Sequence, residues 1–227
     1  MKHLFFDWDG TLWDFNTNAG LALHDVFHRY DLLSKFENFE QFKTKFHYYN
    51  STLWKLYSEA KITKQEVGVK RFALAFADVK LYDDEFSQLI SSQYLQSMTL
   101  QTQLLPHAKE MVEYLCKKYN LHIITNGFSE VQFPKIEKSG LKHCFSEIIT
   151  SEEAGALKPN AKIFELALSK TGANLANSII IGDDLDADIK GAINFGMKNV
   201  FVNMNNLTHN YKTDFEISSL LELKQLF

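Results

Sequence analysis

Short apolar runs that do not alternate with polar residues set the limits on how this chain can fold. They are Leu4-Phe5-Phe6, Leu121-His122-Ile123-Ile124-Thr125, Glu147-Ile148-Ile149-Thr150, Ser178-Ile179-Ile180-Ile181 and Asn199-Val200-Phe201-Val202. A continuous run suits a strand covered on both faces, whereas a half-exposed strand alternates. Helical spacing fills the gaps between the later runs. Ala108, Met111, Val112 and Leu115 follow Pro106, and Val131 to Lys138 forms a second segment. Ala161 to Thr171 turns Ile163, Phe164, Leu166 and Ala167 to one side, and Asp188 to Phe195 ends at Gly196. Strands alternating with helices predict an α/β fold, a doubly wound parallel sheet with helices on both faces. The tail from Ile217 to Leu226 reads as a final helix.

Between the first run and the second the pattern changes. Leu21, Val26, Phe27, Tyr30 and Leu33, then Leu53, Trp54, Leu56 and Tyr57, then Val69, Phe72, Ala73 and Phe76, then Phe86, Leu89, Ile90 and Tyr94 all recur at helical intervals. Asp83-Asp84-Glu85 suits a helix first turn. This span predicts an insertion of four or five helices, with the α/β core at 1–15 and 100–227 and the helical domain at 16–99. Its many rings, from Phe36 to Tyr57, are expected to be mostly core.

A chain of 227 residues is long enough to bury such cores without disulfides or a structural metal. Its 24 basic and 28 acidic side chains give a net charge of −4, which speaks against a nucleic-acid polymer as partner. No apolar run approaches the roughly 20 residues that span a bilayer, and Asp7 leaves no room for a signal peptide's apolar region, so a cytoplasmic protein without membrane contact is expected. Cys116 and Cys144 lack metal-ligand spacing and read as buried free thiols. His24 and His28 share a helix face but have no third ligand, so zinc is not expected.

The polar residues gather where the runs stop: Asp7 and Asp9, Thr125 and Asn126, Asp183. In a parallel sheet that is the carboxyl edge, where ligands bind. Asp7 and Asp9 lie two apart and repel when both are charged, so a cation or a proton must intervene. Gly182-Asp183-Asp184-Leu185-Asp186-Ala187-Asp188 adds more carboxylates at a second strand end. Acids at a helix start account for Asp186 and part of Asp184 but not for Asp183. Carboxylate oxygens in this number suit Mg²⁺. Lys158 would balance the charge of a phosphate, and Thr125 with Asn126-Gly127 offers a hydroxyl and backbone N–H groups at a helix start, a cradle for an anion.

Asp7-x-Asp9-Gly10-Thr11, Thr125, Lys158-Pro159 and Gly182-Asp183-(x)₄-Asp188 together resemble, in order and spacing, the motifs of the haloacid dehalogenase superfamily. The helical insertion falls where that family carries its α-helical cap, on a Rossmann-like core. Ile124-Thr125-Asn126-Gly127 and Gly155-Ala156-Leu157-Lys158-Pro159 look most like its pyrimidine 5′-nucleotidase subgroup.

The resemblance implies a Mg²⁺-dependent phosphatase working through an aspartyl-phosphate. Asp7 would be the nucleophile, and Asp9 the acid and then the base. Thr125, Asn126 and Lys158 would hold the phosphate. Asp7, the Asp9 carbonyl and Asp183 would hold the metal, with Thr11, Asp184 and Asp188 behind them. Trp13 and Phe15, just past the nucleophile loop, are expected to line the substrate cavity, where a base could stack. An acid at Asp9 disfavours dehalogenation, whose leaving group needs no proton. A sugar or glycolate phosphatase, a phosphomutase, and a phosphate-binding module without turnover stand as alternatives. The expected partner is a small phosphorylated metabolite, a nucleotide first among them, and the expected assembly a monomer or weak dimer.

Overall fold

The computed structural model describes residues 2–227. The chain divides into two compact units, Met1–Asn16 with Thr102–Phe227, and Thr17–Gln101.

Among the described residues of the first unit, six strands form one sheet. They are β1 (His3–Phe6), β2 (Asn120–Thr125), β3 (Phe145–Thr150), β4 (Ser178–Gly182), β5 (Lys198–Val202) and β6 (Phe215–Ile217). Their order is β3-β2-β1-β4-β5-β6 and every pairing is parallel. The chain builds outward from β1 in one direction and then returns to build outward in the other. The switch point is therefore beside β1, and a crevice opens at the carboxyl ends there. Register fixes what meets at that crevice. Phe6 pairs with both Ile123 and Ile181, so Asp7 comes level with the ends of β2 and β4.

β1 and β4, in the middle of the sheet, are buried at every position, as continuous apolar runs require. On one side Phe5, Ile124, Ile149 and Ile180 pack with Ile163, Phe164 and Ala167 of α8 (Ala161–Thr171) and Ala192 of α9 (Gly191–Phe195). The helix after Pro106 is α5 (Ala108–Leu115), with its four expected core residues all buried, and a single turn, α7 (Ser151–Ala154), follows β3.

The structure departs from the sequence reading at the tail and after Asp184. Instead of one helix, the tail forms β6, a 3₁₀ turn at Leu220–Glu222 and a short helix, Leu223–Leu226. Ile217 pairs with Val202, so its burial satisfies a sheet edge rather than a helix face. The expected helix at Asp188 starts earlier, as a π-helical turn over Leu185–Lys190, with α9 following it. Cys144 is buried, but Cys116 is only half-buried.

The second unit carries most of α1 (Phe15–Arg29), then a 3₁₀ turn at Leu32–Ser34, α2 (Phe39–Ser58), α3 (Lys64–Ala77) and α4 (Asp84–Met98). Caps explain the starts. Asn38 and Asp83 accept from Gln41 and Phe86 N–H groups, and Thr63 with Glu66 forms a reciprocal box. The core is aromatic. Phe42 sits 5.1 Å from Phe36, and Phe46 sits 4.9 Å from Phe72 and 5.2 Å from Tyr94. No helix among the described residues is long and apolar enough to cross a membrane.

Candidate active site

Asp7 is the first residue past β1, and its N–H donates to the Ile181 carbonyl of β4 at 2.9 Å. That bond continues the sheet ladder by one step and fixes the direction of the side chain. The Asp7 carboxylate accepts from Lys158 Nζ at 2.6 Å. The same ammonium donates to Asp188 Oδ1 at 2.7 Å and to the Ile124 carbonyl at 2.8 Å. An ammonium has three donors, so Lys158 is fully used inside the protein. It neutralises Asp7, and a phosphate oxygen would have to displace one of these partners to reach it.

Asn126 sets the Lys158 backbone in place. Its side chain accepts from the Lys158 N–H at 2.7 Å and donates to the Lys158 carbonyl at 3.0 Å. One amide thus ties the end of β2 to the lysine loop. Thr125 Oγ1 accepts from Gly127 N–H at 3.1 Å and from Gln132 Nε2 at 2.7 Å, which commits the hydroxyl's own hydrogen to donation elsewhere.

Two glycines are demanded by close approach. Gly10 has φ +89°, and a Cβ there would lie 2.4 Å from Asp183 Oδ2. A Cβ on Gly182 would lie 2.3 Å from Asp188 Oδ2. The glycine in each motif is the space that its neighbouring carboxylate occupies.

Asp183 accepts from the Thr11 hydroxyl at 2.6 Å. One carboxylate oxygen each from Asp7, Asp183 and Asp188 lies within 4.8 Å of the others. Burial raises the Asp7 carboxyl well above its usual range, because Lys158 offsets only part of the desolvation and Asp188 and Asp183 repel it further. Burial and then Asp188 push Asp183 up to about 7. Burial works against the Lys158 ammonium, but Asp188 and Asp7 outweigh it and hold the lysine above its usual value. One ammonium therefore faces three acids, and the hard oxygen donors left over fit a divalent cation such as Mg²⁺.

Asp188, expected behind the metal, stands within this triad. Asp184 does not. Its Oδ1 accepts from Asp186 and Ala187 N–H groups, each at 2.8 Å, and so caps the π-helical turn. Asp9 turns away from the triad. Its Oδ2 accepts from Gln132 Nε2 at 2.9 Å, and its Oδ1 is paired with Lys135 Nζ. Neither Gln132 nor Lys135 stood out in the sequence, and it is the fold that gathers them. Val131, Gln132, Lys135 and Ile136 form the buried face of α6 (Ser129–Lys138), and two of those four are polar.

Trp13, expected to line a cavity, is fully buried. Its ring lies under Lys135, with Nζ 3.5 Å from the centroid, so the ring's apolar face is spent on a cation of the protein itself. Phe15 is half-buried, at 6.4 Å from Trp13.

The sequence model of the haloacid dehalogenase-like hydrolase family matches residues 1–196. The chain belongs to this family. It is 31% identical over 203 residues to the HAD-hydrolase YfnB of Bacillus subtilis (strain 168), covering 89% of this chain and 84% of that one. It is 29% identical over 226 residues to the pyrimidine 5′-nucleotidase YjjG of Escherichia coli (strain K12), covering 98% and 96%. The crystal structure of YfnB bound to magnesium superposes with a TM-score of 0.89 at 28% identity, over 99% of this chain and 97% of that one. As a hydrolase of this family, the chain presents Asp7, Lys158 and Asp183 at the switch point of its sheet.

Proposed function

We propose that this protein is a Mg²⁺-dependent phosphatase for nucleoside 5′-monophosphates, with pyrimidine nucleotides such as dUMP, dTMP or UMP first among them. The observation that carries the chemistry is the pair of carboxylates at the end of β1, each given a different environment. Asp7 is buried against Lys158 and faces Asp183, whereas Asp9 is partly open and held from α6. Two acids two residues apart are thereby given two roles.

Asp7 Oδ attacks phosphorus, and the bond from phosphorus to the ester oxygen breaks. The departing alkoxide takes a proton from Asp9. Asp9, now a carboxylate, takes a proton from water as that water's oxygen attacks the phosphorus of the aspartyl-phosphate. The bond to Asp7 breaks and inorganic phosphate leaves. Lys158 favours the charged form of Asp7 and orients it, and Thr125 O–H with the Asn126 backbone N–H serves the phosphate oxygens. Asp7, Asp183 and the Asp9 main-chain carbonyl would hold Mg²⁺, which supplies positive charge against the phosphoryl oxygens.

The nucleotide reading is supported by the full-length similarity to YjjG. The test is kcat/KM across a panel of nucleoside 5′-monophosphates, 2-phosphoglycolate and hexose phosphates, with Mg²⁺ and after EDTA. Pyrimidine nucleotides are expected to lead, with activity lost on chelation and restored by Mg²⁺. If every nucleotide falls well below phosphoglycolate or a hexose phosphate, the substrate is a small sugar or acid phosphate instead.

A further inference from the structure

Gln132 and Lys135 lie three residues apart on α6, so they share one face of the helix. Both are buried, and a desolvated ammonium is tolerated only with a partner. The partner of Lys135 is Asp9 Oδ1, and its other neighbour is the Trp13 ring beneath it. Gln132 Nε2 takes the remaining Asp9 oxygen, Oδ2, at 2.9 Å. The same nitrogen reaches Thr125 Oγ1 at 2.7 Å. Asp9 sits in a loop past β1, where the sheet ladder no longer holds it. Its two carboxylate oxygens are held separately, from one rigid helix face.

We infer that Lys135 and Gln132 are positioning residues for Asp9, with the Trp13 ring as the seat of Lys135. Together they fix the plane of the Asp9 carboxylate relative to Thr125, so that proton delivery and phosphate binding are aligned through one amide. The inference rests on Asp9 being the acid proposed above. It gives the buried Trp13 ring a role, as the surface on which Lys135 rests.

The experiment compares an alkyl phosphate, UMP, with p-nitrophenyl phosphate, whose leaving group needs little protonation. The rate of phosphoenzyme formation is measured by rapid quench with Mg²⁺ for wild type, D9N, K135M, K135R and Q132M, and each is melted. K135M is expected to slow phosphoenzyme formation from UMP about 10–100-fold, part of the roughly 10²–10⁴ that a positioned acid supplies. It should slow formation from p-nitrophenyl phosphate much less, while hydrolysis of the intermediate slows by the same factor for both. K135R should restore most of the loss, and Q132M should shift both substrates in the same sense by a smaller factor. Equal losses in formation rate on the two substrates, or a fall in Tm with no leaving-group dependence, would make these residues structural and overturn the inference. A leaving-group-dependent defect in D9N that is absent from K135M and Q132M overturns it while sparing Asp9's role. Absence of that defect from D9N as well removes Asp9 as the acid and the inference with it. Should K135M fail to fold, Q132M carries the same comparison.

Discussion

Lys158 and Lys135 in the α/β unit and Arg71 in the helical unit are all buried cations, neutralised in different ways. Lys158 stands between two carboxylates, and Lys135 is paired with a third while resting on a ring. Arg71 is surrounded by Phe46, Phe72 and Tyr94, with its guanidinium carbon 4.9–5.6 Å from their centroids. It donates to the Gly68 carbonyl and the Asn50 side chain, and burial lowers its pKa. Rings stabilise a cation without adding a group that could react. Carboxylates stabilise it while placing nucleophilic and basic oxygens at a strand end. On this reading, charge buried against charge marks chemistry, and charge buried against rings marks packing.

The largest effect should come from Asp7→Asn, which keeps shape but removes the attacking oxygen. Turnover should vanish on every substrate while the circular dichroism spectrum stays that of the wild type. Persistent turnover would move the nucleophile elsewhere. Lys158→Met comes next. It leaves Asp7 and Asp188 buried without their cation, and breaking a buried pair from one side is worth about 3–5 kcal/mol of stability. Chemical denaturation should record that loss, together with a fall in kcat of about 10²–10³-fold from the missing charge.

Arg71→Met tests the other side of the contrast. A desolvated cation–π contact is worth about 2 kcal/mol, so Tm should fall while kcat for p-nitrophenyl phosphate stays within about twofold. A collapse of kcat with Tm intact would put Arg71 among the reacting groups and dissolve the contrast.

The smallest effect concerns a buried pair with no charge. His3 Nδ1 and His122 Nε2 lie 3.0 Å apart across β1 and β2, and burial pushes His122 down to about 4. The folded chain keeps this ring neutral, whereas the unfolded chain takes up a proton near 6.5. Stability is therefore complete above that pH and declines as pH falls toward 4. His122→Phe should flatten the decline in a series of melts over that interval. An unchanged slope would place the acid sensitivity in other groups.

Where residue type was set by chemistry next to a strand end, the sequence was readable. Asp7, Thr125 and Asp183 each end or follow an apolar run, so their place at the crevice could be reasoned from pattern, whereas Lys158, in a loop past β3, was legible only beside the other three. Gln132 and Lys135 could not be found that way, because lysines on a helix usually mark the solvated face and their partner Asp9 is far away in the chain. Trp13 could not be placed from pattern for a related reason. A large ring beside a nucleophile suits a cavity wall or a buried seat equally well until its neighbour above is known. The tail failed on length, since Phe215–Ile217 is too short to show a period, and only its pairing with β5 makes it a strand.

The most direct test of the division between Asp7 and Asp9 is the phosphoenzyme itself. Asp9→Asn retains the nucleophile but slows hydrolysis of the intermediate, since base catalysis by such a group is typically worth about 10²–10⁴ in rate. Rapid acid quench of this variant with labelled p-nitrophenyl phosphate and Mg²⁺, followed by peptide mapping, should find phosphate accumulated on Asp7. Label on any other residue, or release of p-nitrophenol and phosphate together with no labelled protein at any time, would contradict the account.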